Sequence, residues 1–450
     1  MKKPRLETID SIELDGRTLE GGGQLLRNAL CLSALTGIPI KIHHIRGARS
    51  SGGGLKAQHL ACVNWLAHAC SARVEGAEKG STTLVFEPSK GAEAASVGPS
   101  PAFKKVTRDG EAFYECRLDI GTAGSTGLAL QAILPFILFS DLPSAIPIRL
   151  SLTGGTNVSG SPSYEYITGV LLPTLHSIGF PQIEAKLRKR GWSPGGSSIG
   201  EFMLKIPPRS SSVLPAFQLR PPDSGQKPSK PVHLQATFIA PASCHDHFRK
   251  ILLPAIQYHF GESFSQDSGS LDIKCEGSLH EKRMYLILIA TMPSRPPTAS
   301  QPSSSSSRDT YKLGRDWLYE RKIRSHERSA TEMAEAVTNA LASEVESGAY
   351  VDEHMRDQLV IFQALAQGTS SVYAGTDEDG ELREPSLHAR TAEWVAKQLL
   401  RVRFDASNEC EGVGFGTSDE DIPLLASGQV PENTVAEERL EEKMEKLNVG

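Results

Sequence analysis

His388 follows Pro385-Ser386-Leu387 at the expected start of a helix, and Asp357-Gln358 stand together on the helix before it. A neutral imidazole is a competent nucleophile toward phosphorus, and an aspartate can orient such a ring or help hold a metal. A histidine at a helix start also serves as a cap or a satisfied polar residue, and sequence separation does not show that the two meet. Glu20-Gly21-Gly22-Gly23-Gln24 stands directly before the first amphipathic helix, where glycines let backbone N–H groups approach an anion at the positive helix end. Arg27, one turn into that helix, either points back toward the anion or stands as a solvated charge. Arg46 and Arg49 lie in the next loop, ahead of three glycines and of Lys56, Gln58 and His59. Planar guanidinium groups on such a loop suit bidentate phosphate contacts, a solvated surface loop being the alternative. Gly121-Thr122-Ala123-Gly124-Ser125 repeats the glycine device as a candidate second anion nest, and Gly154-Gly155-Thr156-Asn157 adds a third flexible edge.

The elements that must position these residues follow from apolar periodicity, which repeats a helix, a strand, a second helix and further strands about three times. The first copy runs over 24–87, the second over 125–206 and the third over 355–404. Between the second and third lies a strand–helix–strand–strand segment that reads as an inserted small α/β domain. The fold class expected is therefore α/β, three repeated β/α units with an inserted small α/β domain. The body is assigned to residues 1–212 and 309–416, the insertion to 213–293, a Ser/Pro-rich linker to 294–308, and an acidic, disordered tail to 417–450.

Composition sets the outer limits. The chain has 450 residues, 39% hydrophobic and 22% charged, with room for two or three domains' worth of core. Its longest apolar stretch, Leu128 to Phe139, is interrupted by Gln131 and Pro135 and falls well short of the roughly 20 residues that span a bilayer. The charged start, Met1-Lys2-Lys3-Pro4-Arg5, lacks the apolar segment of a secretory signal, so residence in the cytosol or nucleus rather than secretion is expected. Residues 405–450 hold twelve acidic against three basic side chains, so the formal net charge of −5 conceals a preceding chain of about +4. That balance is compatible with a polyanionic substrate without demanding one. Seven scattered cysteines form no Cys-x-x-Cys pair, and Cys244-His245-Asp246-His247 reads as a helix start rather than a metal site. The run Lys186 to Arg190 suits a nuclear-import patch, an RNA-facing strand or a plain solvated strand. Neither a Walker phosphate loop nor a dinucleotide fingerprint is present.

Taken in order, Leu14-Asp15-Gly16, Glu20 to Gln24 with Arg27, Ile45-Arg46 with Arg49, and Gln58-His59-Leu60 resemble the opening of RNA 3′-terminal phosphate cyclases. The resemblance continues through Ile120 to Ser125, Leu130-Gln131, Gly154 to Asn157, Pro162, Tyr166, Gly191, Pro194-Gly195-Gly196, Asp357-Gln358-Leu359, Leu387-His388 and Arg403-Phe404. It covers most of 10–210 and 310–405. It implies three repeated units with an inserted domain, ATP as co-substrate, RNA 3′-phosphate ends as the other substrate, and His388 as the residue that takes AMP. It carries the ATP pocket onto Gln131, Pro162, His354, Asp357 and Gln358, with His354 where the family usually places tyrosine beside the adenine. Arg27, Arg46, Arg49 and Gln58 take the phosphates of ATP or of the RNA end, and Glu20 and Asp357 contribute to Mg²⁺ or Mn²⁺. The implied enzyme is a ligase forming a cyclic phosphodiester, located in the nucleoplasm and also in the cytosol. A cyclase-like branch without the histidine acts in ribosomal-RNA processing as a non-catalytic RNA-binding factor, which is the alternative reading. A carboxyvinyl transferase built from similar repeats would lack the Asp-Gln and Leu-His motifs.

Overall fold

The computed structural model describes residues 11–50, 52–89, 100–140, 145–209, 211, 213–221, 230–294 and 310–416. The acidic tail and nearly all of the Ser/Pro linker lie outside the described residues.

The chain opens with β1 (Ile12–Asp15), α1 (Gly23–Thr36), β2 (Ile40–His43), α2 (Ala57–Ala69), β3 (Arg73–Glu75) and β4 (Leu84–Glu87). These form a sheet in the order β1-β2-β4-β3, with β1 parallel to β2 and the other pairs antiparallel. In β2, Ile40 and Ile42 face the core while Lys41 and His43 face outward, the period-2 alternation of a half-covered sheet. Gly37 ends α1 in a left-handed conformation, φ 69°, which costs glycine nothing.

Next come β5 (Lys104–Arg108), β6 (Glu111–Asp119), α3 (Thr126–Phe139) and β7 (Ile148–Gly154). A helical run α4 follows, from Tyr164–Tyr166 through a π-helical turn at Ile167–Leu171 to Leu172–Ser177, and then β8 (Glu184–Lys189) and β9 (Gly200–Ile206). Their sheet, β5-β6-β7-β9-β8, repeats the parallel-then-antiparallel pairing with one strand added at the edge. Helix α3 is apolar and buried almost all round, because it packs against α1 and α2 as well as its own sheet.

The remaining elements are β10 (Gln218–Leu219), β11 (His233–Ala240), α5 (His245–Phe260), β12 (Leu271–Gly277), β13 (Tyr285–Pro293), β14 (Thr310–Leu318), α6 (His326–Glu346), α7 (Glu353–Leu365), β15 (Gln367–Val372), α8 (Leu387–Leu400) and β16 (Glu409–Val413). Short as it is, β10 lies parallel to β15, and β15 pairs antiparallel with β16, so this third sheet has the same pairing as the other two. Everything from β11 to α6 is therefore inserted between β10 and α7. The inserted sheet runs β12-β11-β13-β14. Its core joins Phe238, stacked on Phe248 at 3.9 Å, with Leu252, Leu286, Met333, Val337 and Leu341.

Strand pairing draws the insertion differently from the 213–293 read in the sequence. Nine residues of β14 pair register by register with β13, from Tyr285–Leu318 to Pro293–Thr310, and the apolar face of α6 closes the insertion's own core. The Ser/Pro stretch is a connection between adjacent strands rather than a domain boundary. Conversely, residues 214–219 belong with β15, since the Gln367 and Ser371 amides donate to Leu214 and Phe217 carbonyls. Cys244 ends a short 3₁₀ turn, and His245 and His247 turn to different partners, the Ala240 carbonyl and Thr331 Oγ1. The basic run loses Arg190 to the interior, where it pairs with Glu165 at 2.6 Å and Glu276 at 2.5 Å.

Candidate active site

Helix starts from several sheets converge on one cleft of about 660 Å³. Its walls include Glu20, Arg27, Arg46, Arg49, Gln58, Gln131, Pro162, His354, Asp357, Gln358 and His388, so every residue singled out for a role faces one space. The Gly121–Ser125 loop does not line the cleft. It acts at one remove, the Ser125 amide donating to Gln58 Oε1 at 2.9 Å while Ser125 Oγ caps α3 at the Leu128 amide, 3.0 Å.

The first glycine loop also has a local duty. A Cβ on Gly21, whose φ is 58°, would stand 2.2 Å from the Cβ of Ala48, and one on Gly22 would strike the Glu20 carboxylate and the Arg49 guanidinium. The missing side chains let the loop carrying Arg46 and Arg49 close onto the start of α1. Glu20 ion-pairs with Arg49 and accepts from the Gly22 amide at 2.8 Å. Arg27 is almost wholly buried; its Nε donates to Gln131 Oε1 at 2.7 Å and its Nη2 to Gln24 Oε1. Arg46 reaches the Gly54 carbonyl at 3.1 Å. Lys56 adds a fourth cation, and crowding by Arg46 is the main reason its pKa falls. Burial holds His59 neutral, with a pKa lowered to about 3, and its Nδ1 accepts from the Lys56 amide at 3.2 Å.

His388 is the second residue of α8. Ser386 caps that helix, its Oγ accepting from the Ala389 amide at 3.2 Å, which aims the first turn into the cleft. The imidazole is about half exposed, and Nδ1 stands 4.0 Å from Glu20 Oε1, too far for a hydrogen bond. Burial lowers its pKa from 6.5, with Arg27, Arg49 and His354 acting the same way and Glu20 opposing. The ring is thus neutral at pH 7, the form with a free lone pair.

Asp352 caps α7, its Oδ1 accepting from the His354 and Met355 amides at 3.1 and 3.0 Å. The same buried carboxylate takes the Tyr166 hydroxyl at 2.5 Å and the Gly314 amide at 2.9 Å, so one side chain binds α7 to α4 and to β14. That fixes the next turn. His354 has its ring 6.3 Å from Tyr166 and 3.3 Å from Arg315, and Gln358 Nε2 donates to the His354 carbonyl at 3.0 Å. Burial raises the Asp357 pKa to about 6 against the pull of Arg27 and His354. Gln131 Nε2 reaches Asp357 Oδ2 at 3.5 Å, linking Arg27, Gln131 and Asp357 across three elements.

The insertion supplies a wall that sequence reasoning missed. Tyr285, Asp316, Trp317, Leu318 and Glu320 line the cleft from β13, β14 and the turn after it. Their only trace in the sequence is polar residues within an apolar strand pattern, which does not say where the insertion docks.

An α/β protein thus gathers four cations, an imidazole, carboxylates and aromatic groups around one cleft, an arrangement able to accept a phosphorylated ligand. A family model described as RNA 3′-terminal phosphate cyclase matches residues 18–406. Three proteins named RNA 3′-terminal phosphate cyclase are similar to the chain. That of Pyrobaculum neutrophilum is 30% identical over 90% of this chain and 99% of its own. That of Nitrosospira multiformis is 30% identical over 88% and 94%, and that of Methanosarcina mazei 31% identical over 87% and 96%. The chain belongs to the RNA 3′-terminal phosphate cyclase family. These relatives are archaeal and bacterial and give the nuclear expectation no support. Among the described residues no helix is long and apolar enough to cross a membrane.

Proposed function

We propose that this protein uses ATP to convert an RNA 3′-terminal phosphate into a 2′,3′-cyclic phosphate, carrying AMP on His388 between the two substrates. The observation that carries the reading is the neutral imidazole of His388 opening into a cleft whose nearby cations are Arg27, Arg46, Arg49 and Lys56. In the first step an imidazole nitrogen bonds to the α-phosphorus of ATP and the bond to the bridging oxygen breaks, releasing pyrophosphate. An oxygen of the RNA 3′-phosphate then displaces the imidazole, and AMP passes to the RNA end. Finally the neighbouring 2′-oxygen attacks the 3′-phosphorus, loses its proton, and expels AMP. Donors fixed in place before the reaction stabilise the charge that builds on phosphoryl oxygens.

Mg²⁺ or Mn²⁺ would neutralise the triphosphate, with Glu20 and Asp357 as the carboxylates in reach. Glu20 is already paired with Arg49, and among the described residues no group of three His, Cys, Asp or Glu converges as a metal site. Such an ion would therefore draw most ligands from phosphate and water.

The test is incubation of a 3′-phosphorylated oligoribonucleotide with the protein, ATP and Mg²⁺. The end should become resistant to phosphatase, with one AMP released per end, only when ATP is present. ATP-independent RNA binding with no change at the end would instead favour a non-catalytic RNA-processing factor.

A further inference from the structure

Cations gather toward one end of the cleft, where Glu20 pairs with Arg49. Arg46, Arg49 and Lys56 stand at one end, His388 and Arg27 lie between, and the far end holds His354, Asp316 and Glu353. With Arg46, Arg49 and Lys56 gathered at the first end to take the phosphates, a nucleotide whose α-phosphate meets His388 would place its base at the other. Pro162 and His354 offer flat or apolar surfaces at that end, and the His354 Nε2 is already taken by Arg315 at 3.3 Å.

Asp316 lies on β14 two residues beyond Gly314, so both face the same side of the strand, where a Cβ on Gly314 would meet Val170 and the Tyr166 ring. Its Oδ2 accepts from the Tyr285 hydroxyl at 2.8 Å, and that hydroxyl meets Ser163 Oγ at 2.6 Å in a buried chain that fixes the carboxyl group. Among the described residues Oδ1 has no hydrogen-bond partner, although the residue lines the cleft.

We propose that Asp316 is the base-reading residue of the nucleotide site, its Oδ1 accepting a hydrogen bond from the exocyclic 6-amino group of adenine and so setting the choice of ATP over GTP. Guanine presents an oxygen at that position, which two facing acceptors would repel, leaving the buried carboxyl group unpaired. The discrimination requires Oδ1 to present a lone pair, and Tyr285 holds the other oxygen.

This inference rests on the ATP reading above, and one titration set separates the two. ATP, GTP and inorganic tripolyphosphate are titrated into the full chain, Asp316→Ala and Asp316→Asn with Mg²⁺ present. Wild type should prefer ATP. Asp316→Ala should lower ATP affinity about tenfold while leaving tripolyphosphate unchanged, which also shows that the variant folds. Asp316→Asn keeps the Tyr285 partner and can turn an N–H toward the guanine oxygen, so its ATP-to-GTP ratio should fall by a similar factor, with GTP binding gained. If both variants keep the wild-type ratio, or wild type does not distinguish the two purines, the assignment to Asp316 is overturned while the ATP reading stands. Tripolyphosphate binding without ATP binding by wild type would overturn both.

Discussion

At the scale of single residues, what matters is which protonation state each side chain is held in. His388 is kept below its ordinary 6.5 by burial and by Arg27, Arg49 and His354, so it remains nucleophilic on the acid side of neutrality. The rate of covalent nucleotide transfer should fall on acidification with a midpoint below 6.5, as read by single-turnover pyrophosphate release. A midpoint at or above 6.5 would contradict the electrostatics. Asp357 is shifted the other way, its folded pKa of about 6 lying above the ordinary 3.8. Between those values the folded chain binds more protons than the unfolded one, so stability falls as pH rises and the ionised carboxylate is a net cost above pH 6. Asp357→Asn should therefore stabilise the nucleotide-free protein by on the order of 2 kcal/mol at pH 7.5, with the gain gone by pH 4 in urea denaturation. The lead residues were legible because helix starts, glycine loops and arginines occur together in a recognisable order. Asp316 and Tyr285 were not, because an isolated acid or tyrosine in a strand has no local signature.

Elements place these residues, and here capping carries more than propensity. Asp352 satisfies the start of α7 and in the same stroke accepts from Tyr166 and Gly314, so the turn bearing His354, Asp357 and Gln358 is pinned to both the second sheet's helix and the inserted sheet. Asp352→Ala strands four donors, three of them on buried residues, and should cost about 3 kcal/mol in denaturant unfolding. A loss under 1 kcal/mol would mean that the hub is not structural. Helices α1, α3, α7 and α8 were readable from apolar period. The opening strand of each repeat was not: β1 is four residues, and β10 only two. Strand β10 exists because β15 offers its free edge, a tertiary cause that periodicity does not record. The same holds for β14, whose place is set by register with β13 across a stretch that looks like a linker in composition.

At the scale of the whole molecule, the insertion leaves the chain between a strand and the helix that carries Asp357, and returns to wall the same cleft. Charge is distributed as unevenly as the architecture. Residues 417–450 hold nine acidic and three basic side chains, so removing them changes the formal net charge from −5 to +1. The shortened chain should bind RNA more tightly at low salt, with the difference vanishing as salt rises, in titrations of a labelled 3′-phosphorylated oligonucleotide. An unchanged low-salt affinity would show that the tail's charge does not reach the RNA. Binding alone, however, does not distinguish an enzyme from a scaffold of the same family, whereas a covalent bond to His388 does. The most direct measurement is incubation of the protein with Mg²⁺ and ATP labelled at the α-phosphate, followed by denaturing gels of wild type and His388→Ala. The account predicts a labelled, acid-labile band in wild type that is absent from the variant. A folded, ATP-binding wild type that never takes label, or a His388→Ala variant that labels as well as wild type, would contradict it.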